Sequence, residues 1–180
     1  MVLPLPRYTL RDLEQFPEDG NRYELVDGVL LVTPAPALTH QVVANRLQLQ
    51  LSRVLVSAGH AHVAGPGAVT VEPATQLQPD ILVFPARFSP MLKWMDITEH
   101  WLAVEVLSRS SRMYDREVKR AAYFALGVRQ LWLVDWRDRS VEVWRSPHAR
   151  RAVRDVIRWR VPTLDLVVPI DLHELFAAIE

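Results

Sequence analysis

The sequence predicts one compact α/β domain over residues 1–180, and three observations lead to this fold class. The chain has 180 residues, of which 49% are hydrophobic, enough for one sizeable core but too few residues for two ordinary domains. Segment 101–107 is apolar on both faces except at Glu105, a pattern typical of a strand inside a sheet. A helical pattern and another apolar strand follow it, so this order favours a β-α-β crossover.

The first elements are a short helix and a hairpin. Thr9 can cap a helix that runs to Phe16. A hairpin is expected next, because the pair Asp27-Gly28 suits a type I′ turn. Glu24 lies on the first strand of this hairpin.

The middle of the chain predicts one long helix and three strands. Thr39 can open the helix, apolar residues recur along it at helical spacing, and Gly59 ends it. Two short β-rich runs follow, at 61–64 and 68–72. A buried strand then covers 80–84 and begins with the carboxylate of Asp80.

The second half predicts two helices around a hairpin. Ser111 or a neighbour caps an amphipathic helix that runs to Leu126. Segments 130–135 and 141–145 form the hairpin. Asp171, with an acidic residue three positions later, is typical of a capping box that opens a terminal helix through Ala178.

Composition excludes several kinds of site. The chain has no cysteine, which excludes disulfides, thiolate zinc sites, iron–sulfur clusters and cysteine nucleophiles. No apolar run approaches the roughly 18 residues needed to span a bilayer, so we expect no membrane association and a cytoplasmic location. Residues 1–108 carry seven basic and eleven acidic side chains, whereas 109–180 carry fourteen and ten. This asymmetry suits a metal site beside a phosphate-binding surface, although solvated surface charge explains it equally well.

Glu105 is the residue that most needs a partner. An ionised carboxylate inside an apolar strand costs several kcal/mol unless it is paired, protonated or bound to a metal. If the strands that carry Asp80 and Glu105 pair, both carboxylates can approach one cation. The alternative is that Asp80 caps a turn and Glu105 pairs with an arginine.

The residues around this pair resemble a known group of enzymes. Pro79-Asp80 followed by an apolar strand with Glu105 resembles the PD-(D/E)xK nuclease superfamily, and the chain is similar to its bacterial restriction endonuclease-like branch. The resemblance rests on an ordered series: Tyr23-Glu24-Leu25-Val26-Asp27-Gly28, Pro34-Ala35-Pro36, His40-Gln41, Gln78-Pro79-Asp80-Ile81, Val104-Glu105-Val106-Leu107-Ser108, Tyr114-Asp115, Lys119, Tyr123, Gly127-Val128 and Leu131-Trp132-Leu133-Val134-Asp135.

The resemblance implies a fold and a metal site. The fold is a mixed central β-sheet flanked by helices, a restriction endonuclease-like core with an N-terminal hairpin. Asp80, Glu105 and the backbone carbonyl after Glu105 would hold Mg²⁺ or Mn²⁺, which prefer oxygen ligands. Glu24 matches an accessory acidic position that could hold a second ion or a metal-bound water. The alternative is a hairpin residue that pairs with Arg22 or with a facing strand. The implied activity is metal-dependent hydrolysis of DNA phosphodiester bonds.

One position departs from the family pattern. A lysine is expected two residues after the second carboxylate, where this chain has Leu107. In some branches the lysine lies on the following helix, and Lys119 is the only lysine downstream of Glu105. A simple helix salt bridge from Asp115 to Lys119, worth a few tenths of a kcal/mol, is the alternative. We therefore predict four catalytic residues: Glu24, Asp80, Glu105 and Lys119.

The remaining expectations concern partners. Arg112 and Arg116 are the candidates for binding DNA phosphates, unless they belong to a solvated helix face. The segment 150–160 fits one half-exposed basic strand. Trp94 and Trp101 suggest a homodimer. Leu107 motivates the alternative function, a catalytically inactive nuclease-fold module that binds nucleic acid or a protein partner.

Overall fold

The computed structural model describes residues 6–108 and 115–179. The N-terminal part contains α1 (Leu10–Leu13), β1 (Arg22–Val26), β2 (Val29–Thr33), α2 (Leu38–Leu55), β3 (Ala61–Ala64), β4 (Val69–Val71), β5 (Thr75–Leu77), β6 (Ile81–Pro85), a 3₁₀ turn (Trp94–Asp96) and β7 (Leu102–Val106). The C-terminal part contains a π-helical segment (Asp115–Lys119), α3 (Arg120–Ala125), β8 (Leu131–Asp135), β9 (Ser140–Ser146), β10 (Ala149–Val153), β11 (Val156–Arg160), β12 (Val167–Asp171) and α4 (Leu172–Leu175).

A six-stranded mixed sheet forms the centre of the fold, in the order β10-β9-β8-β7-β6-β3. Strands β7 and β8 are parallel, with Ala103 opposite Leu131, and the other neighbours in this sheet are antiparallel. The connection between the parallel strands includes the π-helical segment and α3, so the predicted crossover is confirmed. The predicted α/β class with a mixed central sheet is confirmed as well.

Apolar residues cover both faces of this sheet. On one face, α2, β11, β12 and α4 bury side chains against Leu102, Val104 and Val106 of β7. On the other face, β4, β5 and α3 pack around Ala103 and Leu107. Burial on both sides explains the nearly continuous apolar sequence of the central strands.

A separate four-stranded sheet has the order β2-β1-β5-β4 and contains the predicted N-terminal hairpin. Asp27 and Gly28 at its tip have φ angles of 48° and 79°, as a type I′ turn requires. Leu25 pairs with Gln76 of β5, which joins the hairpin to the segment that leads into β6. This connection places β1 beside the start of β6.

Helix ends differ from the sequence-based expectations. Thr9 caps α1 as predicted, but the helix ends at Leu13 rather than at Phe16. Helix α2 begins at Leu38, after the extended residue Ala37, so Thr39 is not its cap. The predicted beginning of the crossover helix at Ser111 lies outside the described residues.

The C-terminal region also differs. Asp171 accepts hydrogen bonds from the N–H groups of His173 and Glu174, which confirms it as a cap. The helix that it opens ends at Leu175, before Ala178, whose φ is 52°.

The basic segment 150–160 is not a single strand. It divides into β10, an outer strand of the six-stranded sheet, and β11, which pairs with β12 in a two-stranded sheet. Among the described residues, no helix is long and apolar enough to cross a membrane.

His100 makes the fold sensitive to acid. It is buried directly before β7, and burial lowers its pKa to about 4. Below pH 6.5 the imidazole of His100 is therefore protonated in the unfolded chain but still neutral in the folded protein. The free energy of unfolding consequently decreases as the pH is lowered. Between pH 7 and pH 5 we expect His100 to remove about 2 kcal/mol of unfolding free energy. Urea denaturation at both pH values checks this, and a His100→Gln variant that loses stability as steeply would contradict it.

Candidate active site

The first two predicted site residues lie side by side on paired strands. Strands β6 and β7 are antiparallel, with Ile81 opposite Val104, which brings Asp80 next to the end of β7. The N–H of Val106 donates to Asp80 Oδ2 at 2.8 Å. Asp80 and Glu105 are both buried and line one cavity of about 230 Å³. The structure therefore brings together the two carboxylates that the sequence singled out.

Lys119 enters this group from the π-helical segment. Its Nζ lies 2.6 Å from Glu24 Oε2, 3.3 Å from Glu105 Oε1 and 3.5 Å from Asp115 Oδ1. Only 3% of the lysine side chain is exposed. The ammonium thus contacts acidic residues of β1, of β7 and of its own helical turn. The Asp115–Lys119 ion pair that was the alternative to a catalytic lysine is present, together with the ion pairs to Glu24 and Glu105.

Strand β1 holds Glu24 in place from the other sheet. Glu24 is fully buried, and its Oε1 accepts a hydrogen bond from the N–H of Gln78 at 2.7 Å. Because Gln78 lies two residues before Asp80, this bond fixes the hairpin against the start of β6. The alternative pairing of Glu24 with Arg22 is not observed, since Arg22 turns to Asp80 instead.

Burial and charge perturb the ionisation of the group. Burial raises the pKa of Glu105 well above its ordinary value of 4.5, Lys119 opposes that rise, and Asp115 and other carboxylates add to it. For Lys119, burial favours the neutral amine, but Glu105, Glu24 and Asp115 together raise its pKa above the ordinary value. The lysine is therefore protonated, and its charge offsets the negative charge of the carboxylates around it.

Asp80 has a different environment. Burial alone would raise its pKa, but the net pKa is lowered by His40, Arg22 and the N–H of Val106. His40 Nε2 lies 3.0 Å from Oδ2, and the Arg22 guanidinium donates to Oδ1 at 3.0 Å. Asp80 is consequently ionised more readily than Glu105.

Comparison with known proteins places this chain in a family. The sequence profile of the Uma2 family, described as "Putative restriction endonuclease", matches residues 10–175. The chain belongs to the Uma2 family.

A solved structure shares the fold of this Uma2 protein. It is the crystal structure of a protein described as a putative nuclease belonging to DUF820, from Anabaena variabilis ATCC 29413. It is 19% identical in sequence, with a TM-score of 0.75 over 93% of this chain and 97% of that one. No curated protein matches the sequence. The family and the fold together agree with the resemblance noted from the sequence.

The donor chemistry of the Uma2 site suits a hard divalent cation. Four carboxylates, from Glu24, Asp80, Glu105 and Asp115, surround the ammonium of Lys119 or lie beside it. Arg22 and Lys119 offset part of the charge of these carboxylates. Carboxylate oxygens are the donors that Mg²⁺ and Mn²⁺ prefer.

The cations of the protein nevertheless keep these donors apart. Within residues 6–108 and 115–179, no three histidine, aspartate or glutamate side chains form a preformed metal-binding cluster. Lys119 lies between Glu24 and Glu105, and Arg22 takes one oxygen of Asp80. A bound metal ion would therefore have to share these carboxylate oxygens with the side chains of Lys119 and Arg22.

Sequence reasoning missed three contributors. Arg22 and His40 hold Asp80, and Tyr123 donates its hydroxyl to Glu105 Oε1 at 2.6 Å. Tyr123 lies four residues after Lys119, so both side chains project from the same side of the helix. That spacing, and the place of Tyr123 in the series of residues that carries the family resemblance, were the signals that could have linked Tyr123 to the site.

The predicted substrate and dimer contacts have mixed outcomes. Arg112 lies outside the described residues. Arg116 forms a close pair with Glu142 and lies 3.9 Å from Asp135, so its guanidinium is already engaged. Trp101 is 2% exposed and fills the core, which removes it as an interface residue, whereas Trp94 is 38% exposed.

Proposed function

We propose that this Uma2 protein is a metal-dependent endonuclease that hydrolyses DNA phosphodiester bonds at the cavity of Asp80 and Glu105. The observation that carries the proposal is the ammonium of Lys119, placed within 3.3 Å of Glu105 although the expected strand position holds Leu107. A buried lysine among carboxylates is a costly arrangement, and strongly perturbed groups of this kind cluster at functional sites. DNA is proposed as the substrate because the family is described as restriction endonucleases.

Each residue has a distinct role in this mechanism. Asp80 and Glu105, with the carbonyl of Val106, would hold the metal, and Glu24 would bind a second ion or a metal-bound water. Bound Mg²⁺ or Mn²⁺ supplies Lewis-acid polarisation of the phosphate and a water of lowered pKa. Lys119 places a positive charge where the phosphate gains negative charge.

The position of Leu107 supports a lysine that reaches the site from the helix. Leu107 is fully buried among the apolar side chains that α3 covers. A lysine there would bring its charge into that apolar core. Lys119 supplies the same charge from the π-helical segment. The site therefore contains a lysine, but this lysine comes from a different position in the chain.

Metal binding is the most direct test of the proposal. Calorimetric titration of Mn²⁺ should show binding to the wild type and none to an Asp80→Ala, Glu105→Ala double variant. The matched control is Glu117→Ala with Asp165→Ala, which removes one glutamate and one aspartate from exposed positions. Plasmid cleavage in Mg²⁺ and Mn²⁺ should then follow the same pattern. Absence of Mn²⁺ binding and cleavage in the wild type would contradict the proposal.

One observation favours the alternative function, a catalytically inactive module that binds nucleic acid or a protein partner. Arg22 and His40 already engage both oxygens of Asp80, as in a site stabilised without metal. This alternative predicts no calorimetric signal for Mn²⁺ and DNA binding that does not depend on divalent ions. The same titration, followed by a binding assay in EDTA, therefore separates the two functions.

A further inference from the structure

Glu142 is a buried carboxylate that lies outside the cavity and takes no part in the proposed mechanism. Glu142 on β9 is 5% exposed. Its Oε1 accepts hydrogen bonds from Nε and Nη2 of Arg116 at 3.1 and 2.6 Å. Its Oε2 accepts from the indole N–H of Trp144 at 3.1 Å. A guanidinium that donates twice to one buried carboxylate has a fixed orientation.

Glu142 and Glu105 belong to one row of residues across the central sheet. Glu105 lies opposite Leu133, and Leu133 lies opposite Glu142, so the three side chains share one level and one face. Neighbouring strands are about 4.8 Å apart, which places the two glutamates roughly 10 Å from each other along the sheet. Leu133 fills the space between them and is fully buried.

The π-helical segment lies across this row and presents a different side to each glutamate. Asp115 and Lys119 are buried and face Glu105 and the cavity. Arg116 faces β9, and so does Arg120, whose guanidinium lies 4.4 Å from the ring centre of Trp144. One helical turn thus carries both a cavity side and an anchoring side.

We propose that the Arg116–Glu142 pair is a positioning device that sets the rotation of the π-helical segment and thereby holds Lys119 between Glu105 and Glu24. Arg116 and Glu142 are positioning residues, since both act through Lys119. A π-helical turn is rare and occurs mostly as a single turn within an α-helix, frequently at functional sites. The contact of Arg116 with Glu142 ties this turn to β9 from outside the helix. The consequence for catalysis rests on the proposed nuclease function, whereas the placement of Lys119 does not.

The composition of the chain allows a direct test, because Lys93 and Lys119 are its only lysines. Lys93 is exposed, and Lys119 is 2% exposed. An amine-acylating reagent should therefore modify Lys93 rapidly and Lys119 slowly, and peptide mass spectrometry gives the ratio of the two within one sample. In Arg116→Gln we expect the Lys119-to-Lys93 ratio to rise about tenfold, because the turn opens more often.

Two control variants separate positioning from general stability. Arg150→Gln removes a guanidinium that lies 3.5 Å from the same Glu142 oxygen but is not on the helical turn. Val168→Ala weakens the core on β12, far along the chain from the turn. Both should leave the labelling ratio at the wild-type value when measured well below their unfolding temperatures. A rise of similar size in either control would overturn the proposal.

A second variant keeps the test decisive if Arg116→Gln fails to fold. The double variant Arg116→Gln, Glu142→Gln removes both charges of the pair together, so that Glu142 is not left charged in the interior without Arg116. An unchanged labelling ratio in this folded double variant would overturn the proposal. In the cleavage assay we expect a fall in kcat of about tenfold with little change in KM, as for a displaced catalytic group. If the wild type cuts no DNA, the labelling result still decides the role of the pair.

Discussion

Replacing Lys119 with methionine should lower the free energy of unfolding by about 3–5 kcal/mol, the usual cost of removing one partner from a buried ion pair. The variant leaves Glu24, Glu105 and Asp115 close together without the ammonium that lies within 3.5 Å of each. Urea denaturation at pH 7 measures the loss. This would be a large fraction of the stability of an ordinary domain.

The control for this prediction is the other lysine. Lys93→Met changes the same charge at an exposed position and should cost under about 0.5 kcal/mol. A Glu24→Gln, Lys119→Met double variant should recover part of the loss, because one of the unpaired carboxylates is removed as well. A loss below about 1 kcal/mol for Lys119→Met, typical of an exposed ion pair, would contradict the buried arrangement.

Replacing Glu105 with glutamine should have opposite effects on activity and on stability. Under the proposed mechanism, loss of this carboxylate should reduce DNA cleavage about a thousandfold. At the same time the variant should be more stable than the wild type at pH 7, because the raised pKa of Glu105 means that its charged form is disfavoured in the folded protein. The hydroxyl of Tyr123 can still donate to the amide oxygen.

The pH dependence of stability distinguishes this explanation from simple repacking. Above the ordinary pKa of 4.5, folded Glu105 binds more proton than the unfolded chain does, so the contribution of Glu105 to stability falls as pH rises from that value toward the raised pKa. In urea titrations at successive pH values, the stability of the Glu105→Gln variant should therefore increase relative to that of the wild type as pH rises. The exposed Glu117→Gln variant is the control and should follow the wild type. Equal slopes for Glu105→Gln and the wild type would contradict the prediction.

Local patterns explain which parts of the fold were predictable. The turn at Asp27-Gly28 and the apolar strands β6, β7 and β8 were predictable because each depends on a local pattern only a few residues long. Strand β5 was missed because only one of its three residues, Leu77, is apolar, whereas the equally short β4 has two valines. Strand β12 has alternating exposed and buried residues and contains Pro169, which reads as a break in a strand.

The site was predictable only as far as its residue types allowed. A carboxylate in an apolar strand pointed to Glu105, and the scarcity of lysine pointed to Lys119. The contact of Arg22 with Asp80 joins residues 58 positions apart, and no spacing rule links them. The contact of Arg116 with Glu142 was not predicted either. The strand that carries Glu142 was predicted, but Arg116 was interpreted as a contact for DNA.

The site is shared by two sheets, since Glu24 comes from the four-stranded sheet and Glu105 from the six-stranded one. A ligand bound by both carboxylates would join the sheets through contacts that neither sheet can make alone. Its binding energy would then slow local opening of the hairpin and of the central strands together. Amide hydrogen exchange would register this as simultaneous protection of β1 and β7, two strands separated by more than seventy residues of chain.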